Sequence, residues 1–170
     1  KIDLFQAHNA GVSNWRVDPE IAGGGYFYDL ASHQLDLLDF LLGPIKSAEG
    51  YSRNQVGNYK AEDIVSGVFE FESGVIGSGM WCFTVAGEDS RDSIHIYGSE
   101  GHIEFSTFGT TDVKLVKSDQ NKVFQFKMPK HIQQPLIEHV VSHLMGHETC
   151  VSIGNSAART NRVMEWIIPQ

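Results

Sequence analysis

The sequence predicts an α+β fold, an open and mostly antiparallel β-sheet with helices packed on one face. Three observations predict it: an amphipathic helical segment that ends at Gly43-Pro44, two hairpins with glycine-containing turns after it, and two helical segments near the end. Consecutive hairpins imply antiparallel pairing, because parallel strands need long crossover connections. Helices that flank a run of strands are typical of an α+β domain.

The first 22 residues are expected to form an extended lead-in that starts with a strand-like run at residues 1–5. Asp18 stands before Pro19, which disfavours helix at Asp18, so a helix is expected only after this step. The sequence does not begin with Met, and we expect a preceding domain upstream of it, where any targeting segment would lie.

Residues 23–44, GGGYFYDLASHQLDLLDFLLGP, predict a glycine loop followed by one α-helix. Gly43 suits the left-handed residue after a helix, and Pro44 cannot continue one. Four leucines at helical spacing predict the buried side: Leu30, Leu37, Leu38 and Leu41. A different face carries Asp29, His33, Asp36 and Phe40. We expect Asp36 and Asp39 to be solvated or to act as capping groups.

Five to seven strands are expected between the helices. The predicted strand segments are 45–53, a hairpin over 64–84 that turns at Ser73-Gly74, a hairpin over 93–105, and two strands at 113–116 and 123–128. Because segments 68–71 and 80–83 are rich in large apolar residues, we expect a partner subunit on the sheet face that the helices leave open, making the protein a homo-oligomer.

Two helices are predicted after the sheet. The first carries an apolar stripe expected to face inward: Ile137, Val140, Val141, Leu144 and Met145. The second spans residues 155–168, with Asn155 or Ser156 as its cap and with Val163, Met164 and Ile167 inward.

Composition limits the class of protein. A length of 170 residues with 41% hydrophobic and 20% charged residues is typical of one soluble globular domain. A net charge of −8 argues against non-specific nucleic-acid binding, and the absence of a long apolar run argues against a membrane span. Cys82 and Cys150 are expected to be buried thiols in a reducing, cytoplasmic setting, although one disulfide between them is an alternative.

The three consecutive glycines do not fit a dinucleotide-binding loop. Such a loop follows a hydrophobic strand and has glycine at a third fixed position, where this sequence has Tyr28. Two alternatives stay open: a flexible entry to the helix, or bare backbone that lets a substrate or another domain approach Gly24 and Gly25 closely.

Two groups of polar residues at helical spacing are candidate sites. Asp29 and His33 lie one turn apart, so they form either an ordinary surface pair or a carboxylate-oriented general base. His139, His143 and His147 repeat every four residues, but they lie opposite the apolar stripe, and Val140 stands where a metalloprotease has Glu. We therefore expect a surface helix there and no metal.

Several segments resemble one family in order and spacing: Asn14-Trp15-Arg16, Asp18-Pro19, GGGYFYDLASHQLD, GSEGHIEF and GNSAARTNRVMEWI. Together they are similar to the C-terminal domain of the Gfo/Idh/MocA oxidoreductases, over nearly the whole chain. In that family an N-terminal Rossmann domain binds NAD or NADP. The second domain supplies the substrate site on an open, mostly antiparallel sheet, and commonly the dimer face.

The resemblance implies roles for six residues. His33 would be the acid/base that takes a proton from a sugar or polyol hydroxyl, and Asp29 would orient it or contact that hydroxyl. Trp15 and Arg16 match positions near the active-site cleft, and Gly24 and Gly25 would lie close to substrate or cofactor. The family's Glu-Lys-Pro motif and its nucleotide-binding domain are absent from this sequence. We therefore expect no cofactor on this chain alone and no turnover by it. The alternative is a non-catalytic ligand-binding or dimerisation module of the same fold.

Overall fold

An eight-stranded sheet forms the body of the fold in the computed structural model, which describes residues 1–8 and 14–168. Its strands are β1 (Ile2–Phe5), β2 (Ile45–Arg53), β3 (Ile64–Phe71), β4 (Ile76–Cys82), β5 (Arg91–Gly98), β6 (Gly101–Phe105), β7 (Asp112–Lys117) and β8 (Asn121–Gln125). They lie in the order β2-β3-β4-β1-β5-β6-β7-β8. Only the pairing of β1 with β4 is parallel. The predicted fold class is confirmed.

Strand β1 lies in the middle of the sheet, although the first 22 residues were expected to form only an extended lead-in. It lies between β4 and β5, and Ile2 and Leu4 are fully buried on the face that the helices cover. The predicted five to seven strands between the helices are confirmed as the seven strands β2–β8, and the strand-like run at residues 1–5 adds the eighth, whose central place was not predicted. A strand's neighbours across a sheet are set by long-range pairing, which no local sequence pattern reveals.

Four α-helices accompany the sheet: α1 (Pro19–Ala22), α2 (Ser32–Leu42), α3 (Gln134–Leu144) and α4 (Gly154–Ile167). A 3₁₀ turn, Trp15–Val17, precedes α1, and Asp18 caps α1 by accepting from the Glu20 N–H. In the described ranges, no helix has both the length and the apolar character needed to cross a membrane.

The helix predicted after the glycines starts with a π-helical turn, Phe27–Ala31, and becomes α-helical only from Ser32. The predicted single α-helix was therefore wrong in its first turn. The wider turn changes the buried side, which is formed by Phe27, Ala31, Leu35 and Leu38. Of the four leucines predicted to be buried, Leu41 is 48% exposed.

Helix α4 packs against α2 and the β2 edge of the sheet. Val163, Met164 and Ile167 are buried, as predicted. Asp39 of α2 is also buried, contrary to the expected solvated carboxylate, and its two oxygens accept from the Nε and NH2 groups of Arg159 at 3.2 and 2.6 Å. The two hydrogen bonds from Arg159 offset the free-energy cost of burying the negative charge of Asp39.

Helix α3 differs from its prediction. All five stripe residues are exposed, from 37% at Val140 to 78% at Leu144, and no residue of α3 is buried. Amphipathic periodicity shows that a helix has an apolar side, but it does not specify the surface that covers that side.

A hydrogen-bonded chain of side chains joins α2 to the middle of the sheet. Gln34 is fully buried; its Oε1 accepts from Trp81 Nε1 at 2.7 Å, and its Nε2 donates to Asp92 Oδ1 at 3.1 Å. Trp81 lies on β4 and Asp92 on β5, on either side of β1. One amide therefore fixes the helix relative to two strands.

Replacing Gln34 with Leu should lower the free energy of unfolding by about 1–3 kcal/mol, because it leaves the enclosed Trp81 N–H without an acceptor. Urea unfolding of the 170-residue chain measures this loss. Gln125→Leu is the control, since Gln125 is exposed and should change stability by no more than about 0.5 kcal/mol. Equal effects of the two substitutions would contradict the role given to the Gln34 amide.

Candidate functional site

Three of the predicted site residues meet where the 3₁₀ turn faces the π turn. Arg16 Nε lies 3.2 Å from Asp29 Oδ2, and the Arg16 guanidinium stacks 4.5 Å from the centre of the Trp15 ring. Asn14 caps the turn by accepting from the Arg16 N–H. The pair is about half exposed, so it adds at most about 1 kcal/mol of stability. It positions a carboxylate and a guanidinium at the surface.

The hydrogen bond that the spacing of Asp29 and His33 allowed, as one of two alternatives, is not formed among the described residues. In the described part of the chain, the Asp29 carboxylate has Arg16 as its ion-pair partner, and the His33 ring contacts Phe108 instead. The π turn provides the reason, since its hydrogen bonds join residues five apart and residues four apart no longer stack as they do on an α-helix. π turns of this kind are frequent at functional sites.

His33 is exposed at the rim of a cleft between α2 and α4. The cleft has a volume of about 550 Å³, and its polar lining includes His33, Asp36, Arg159 and Thr160. Arg159 is already paired with Asp39, and Thr160 Oγ1 donates to Asp36 Oδ1 at 3.1 Å. Among these four, the imidazole is therefore the group that has no hydrogen bond to another part of the described chain.

Phe108, which the sequence did not single out, contacts the His33 ring. The two rings lie edge to face with their centres 5.7 Å apart. Asp92 Oδ2 holds the Phe108 loop by accepting from Ser106 Oγ at 2.6 Å and from the backbone N–H groups of Phe108 and Gly109 at 2.5 and 3.2 Å. The carboxylate that receives the Gln34 amide thus also positions the residue against His33.

His8 is a second residue that sequence reasoning missed. Its ring stacks on Tyr26 with centres 4.1 Å apart, and its Nε2 donates to Gln6 Oε1 at 2.5 Å. Burial lowers the pKa of His8, and the negative charge of Asp29 opposes that shift. No local pattern marked His8, because it follows a strand and has no polar residue at helical spacing.

Two tyrosines close the inner side of this region. Tyr26 OH accepts from Asn14 Nδ2 at 2.8 Å, and Tyr59 packs edge-on against the Tyr26 ring at 5.8 Å. Burial raises the pKa of both phenols. The Tyr59 hydroxyl is enclosed and finds no hydrogen-bond partner within residues 1–8 and 14–168. Both side chains are neutral at physiological pH and can act as hydrogen-bond donors.

Gly24 and Gly25 are packed against the chain's own side chains. A Cβ on Gly25 would lie 2.7 Å from the Ala61 Cβ, and the Gly25 N–H donates to Glu62 Oε1 at 3.1 Å. A Cβ on Gly24 would overlap the Tyr28 ring at 2.2 Å. Bare backbone is therefore required for close approach, but here the approaching groups are Tyr28, Ala61 and Glu62.

The histidines of α3 contact the segment that follows that helix. His139 Nε2 lies 3.1 Å from the Thr149 carbonyl oxygen, and the Cys150 N–H donates to His143 Nδ1 at 3.3 Å. Within the described ranges, these histidines belong to no group of three metal-ligating side chains. Cys82 and Cys150 are both free thiols, but only Cys150 is fully buried.

Gly25→Ala should destabilise the chain by about 1–3 kcal/mol, since the new methyl group must displace the Ala61 methyl and the Glu62 backbone. Gly87→Ala is a matched control, because a Cβ at Gly87 meets nothing within 4 Å and its backbone has no positive φ. Chemical unfolding of both variants measures the difference. A Gly25→Ala protein as stable as Gly87→Ala would contradict the packing role.

The lowered pKa of His8 predicts that acidification favours unfolding. In the unfolded chain the imidazole takes up a proton near its ordinary value of 6.5, whereas the folded chain takes it up only at lower pH. Stability from this group is therefore complete above pH 6.5 and is lost as the pH falls through the folded pKa. His8→Phe keeps an aromatic ring against Tyr26. In this variant the free energy of unfolding should fall less between pH 6.5 and the folded pKa of His8.

Titration of His8 by NMR checks the same shift directly. Asp29→Asn removes the charge that favours imidazolium and should lower the His8 pKa further. A folded pKa of His8 at or above 6.5, or an upward shift in Asp29→Asn, would contradict the assignment.

The chain matches known proteins in sequence and in fold. Residues 2–104 match the family model described as the GFO/IDH/MocA C-terminal domain. Oxidoreductase P35 of Formosa agariphila is 34% identical over 170 residues, which cover 97% of this chain and 51% of that protein. The chain thus spans about half the length of this relative.

Two solved structures share the fold at low identity. Aldose-aldose oxidoreductase from Caulobacter crescentus, complexed with glycerol, is 19% identical with a TM-score of 0.78, over 98% of this chain and 50% of that one. Levoglucosan dehydrogenase in complex with NADH and levoglucosan is 17% identical with a TM-score of 0.77, over 98% and 55%. The family match covers more than half of the sequence, and the fold agrees with it. This chain belongs to the GFO/IDH/MocA family, as a C-terminal domain of that type.

Proposed function

We propose that this chain is the substrate-binding and proton-transfer half of an NAD(P)-dependent dehydrogenase that acts on a sugar or polyol hydroxyl. The observation that carries the proposal is the His33 imidazole, which is exposed at the rim of a cleft in a domain of an oxidoreductase family. An exposed imidazole next to a space large enough for a small ligand suits a general acid/base.

His33 takes the hydroxyl proton in this proposal. Its edge-to-face contact with Phe108 limits ring rotation, and Asp92 holds the Phe108 loop through three donors. A base that is held in one orientation loses less entropy when it meets the reacting hydroxyl. Phe108 and Asp92 therefore act as positioning residues for the imidazole.

Asp29, Arg16 and Trp15 form the second part of the proposed site. The Arg16 guanidinium holds the Asp29 carboxylate, so Asp29 is placed to accept from a substrate hydroxyl rather than from His33. Trp15 is about half exposed and offers an apolar ring face, the kind of surface on which a sugar ring packs. Carboxylate, guanidinium and indole together suit a polyhydroxylated ligand.

The residues of this chain do not fit a nucleotide-binding site of their own. The only run of consecutive glycines follows the short helix α1 rather than a strand, and Tyr28, Ala61 and Glu62 fill the space beside Gly24 and Gly25. We propose that a separate dinucleotide-binding domain holds NAD or NADP. Hydride chemistry belongs to that cofactor, and this chain contributes positioning and a proton acceptor. The chain alone should give no turnover.

The substrate class is supported by the named relatives. The solved structures of similar fold include one bound to levoglucosan and one named for aldoses. We propose a sugar, an anhydro sugar or a polyol as the substrate of this protein. The acidic and aromatic groups around Asp29 and His33 are compatible with each of these hydroxyl-rich molecules.

One observation favours a second candidate, a ligand-binding or dimerisation module without catalysis. Asp29 is engaged by Arg16, so no carboxylate orients His33 within the described ranges. In that case the cleft binds a ligand and the imidazole performs no proton transfer. Turnover by the longer protein, measured with either cofactor on aldoses, anhydro sugars and polyols, distinguishes the two candidates.

We also propose that the open face of the sheet associates with a second copy of the chain. The pairing of neighbouring strands puts five large apolar side chains on that face, and all five are exposed. They are Tyr51, Val68, Ile76, Met80 and Tyr97. A patch of this kind is typical of an interface. Light scattering of the 170-residue chain measures its mass in solution and tests the association. A monomer at micromolar concentration would contradict it.

His33→Asn, introduced into the longer protein that carries this chain, should lower kcat by about 10²–10⁴-fold, the usual contribution of a positioned acid/base. KM should change little, because Asp29, Arg16 and Trp15 remain. Steady-state kinetics measures both. His147→Asn is the control, since His147 is exposed and lies outside the cleft. Near-normal kcat in His33→Asn, with turnover intact in the parent protein, would overturn the assigned base.

A further inference from the structure

The hairpin of β5 and β6 carries three potential metal ligands on the open face of the sheet. His95 pairs directly with Glu104, and His102 lies two residues before Glu104 on the same strand. Because directly paired residues share a face and alternate residues along a strand return to it, the three side chains lie on one face. They lie outside the cleft that holds His33, on the face proposed above to associate with a second copy.

The ligand atoms are already close together. One nitrogen from each histidine and one carboxylate oxygen of Glu104 all lie within 4.8 Å of one another. A tetrahedral site with metal–ligand bonds of about 2.0 Å needs ligand atoms about 3.3 Å apart. The backbone pairing of β5 and β6 keeps the three side chains next to one another.

The two imidazole rings are restrained by a neighbour. The Tyr97 ring stacks on His95 with centres 5.9 Å apart and an interplanar angle of 10°, and it lies 5.2 Å from the His102 ring. His95 Nδ1 is enclosed and has no hydrogen-bond partner within residues 1–8 and 14–168. His95 therefore has one ring nitrogen whose lone pair or proton is unused, which is uncommon for an enclosed polar atom.

The carboxylate of Glu104 has one oxygen engaged by a neighbouring strand. Lys114 Nζ donates to Glu104 Oε1 at 2.9 Å, which leaves Oε2 for another partner. An ionised carboxylate and neutral imidazoles are the forms that bind metals. The Lys114 ammonium opposes a cation here, and Lys1, whose backbone hydrogen-bonds to His95, has its own Nζ paired with Asp3 at 2.9 Å.

We propose that His95, His102 and Glu104 form a binding site for one divalent transition-metal ion of the Zn²⁺ class. Two imidazoles and a carboxylate form a ligand set that suits zinc and cobalt and disfavours calcium and magnesium, which prefer oxygen ligands alone. A water molecule supplies the fourth ligand. The ion ties β5 to β6 on the face opposite His33, and it takes no part in the proposed proton transfer.

Titration of the metal-free 170-residue chain with ZnCl₂ in a calorimeter, and with CoCl₂ followed by visible absorption, tests the site. We expect one ion per chain, and cobalt bands of a four- or five-coordinate site without thiolate charge-transfer bands. His102→Ala and Glu104→Gln should each weaken binding by about 100-fold or more, since removing even an outer-shell partner of a metal ligand costs about 10–100-fold. His147→Ala, which removes an exposed histidine elsewhere, should leave binding unchanged.

Lys114→Gln tests whether the ion binds at Glu104, because it removes the ammonium that competes for that carboxylate and keeps a polar side chain. It should raise zinc affinity by roughly tenfold. Circular dichroism without metal establishes that each variant is folded. Binding that survives in His102→Ala and Glu104→Gln, thiolate bands in the cobalt spectrum, weaker binding in Lys114→Gln, or no saturable binding by the parent chain would each overturn the proposal.

Discussion

The buried amide of Gln34 is the interaction on which the rest of the structure depends. It accepts from Trp81 and donates to Asp92, and therefore connects α2 to the strands on both sides of β1. A buried amide must find partners for both its oxygen and its nitrogen, because each unpaired group costs about 1–3 kcal/mol. These two directional hydrogen bonds add to the apolar packing of α2 on the sheet.

The same network reaches the candidate site. Asp92 receives the Gln34 amide on one oxygen and three loop donors on the other, so the loop that bears Phe108 is fixed by the group that fixes α2. His33 precedes Gln34 in sequence and contacts Phe108 in space. The position of the proposed base is thus set by the same buried contacts that stabilise the core.

The two faces of the sheet have different chemistry. The face covered by α2 and α4 holds the core and, at its edge, the cleft with His33. The open face carries exposed aromatic and aliphatic side chains and, on β5 and β6, the cluster of His95, His102 and Glu104. Because side chains alternate along each strand, one short hairpin can serve the core on one face and bind an ion on the other.

Local patterns in the sequence determined most of the elements. Alternation and glycine turns predicted both hairpins, and helical spacing predicted the buried residues Val163, Met164 and Ile167 of α4. The residues proposed for the site could also be selected from the sequence, because the resemblance of a segment to a family motif needs no structure: Asp29, His33, Trp15 and Arg16. Their spacing suggested an Asp–His pair only on the assumption of a regular α-helix.

Tertiary structure decided what those patterns leave open. The first turn of this helix is a π turn whose Phe27 and Ala31 are buried, and in it the Asp29 carboxylate pairs with Arg16 rather than with His33. The central place of β1, the burial of Asp39 by Arg159 and the stacking of His8 on Tyr26 all join residues that are distant in sequence or lie in different elements. Pairings of this kind have no local signature, since their free energy arises only when the chain folds and brings the partners together.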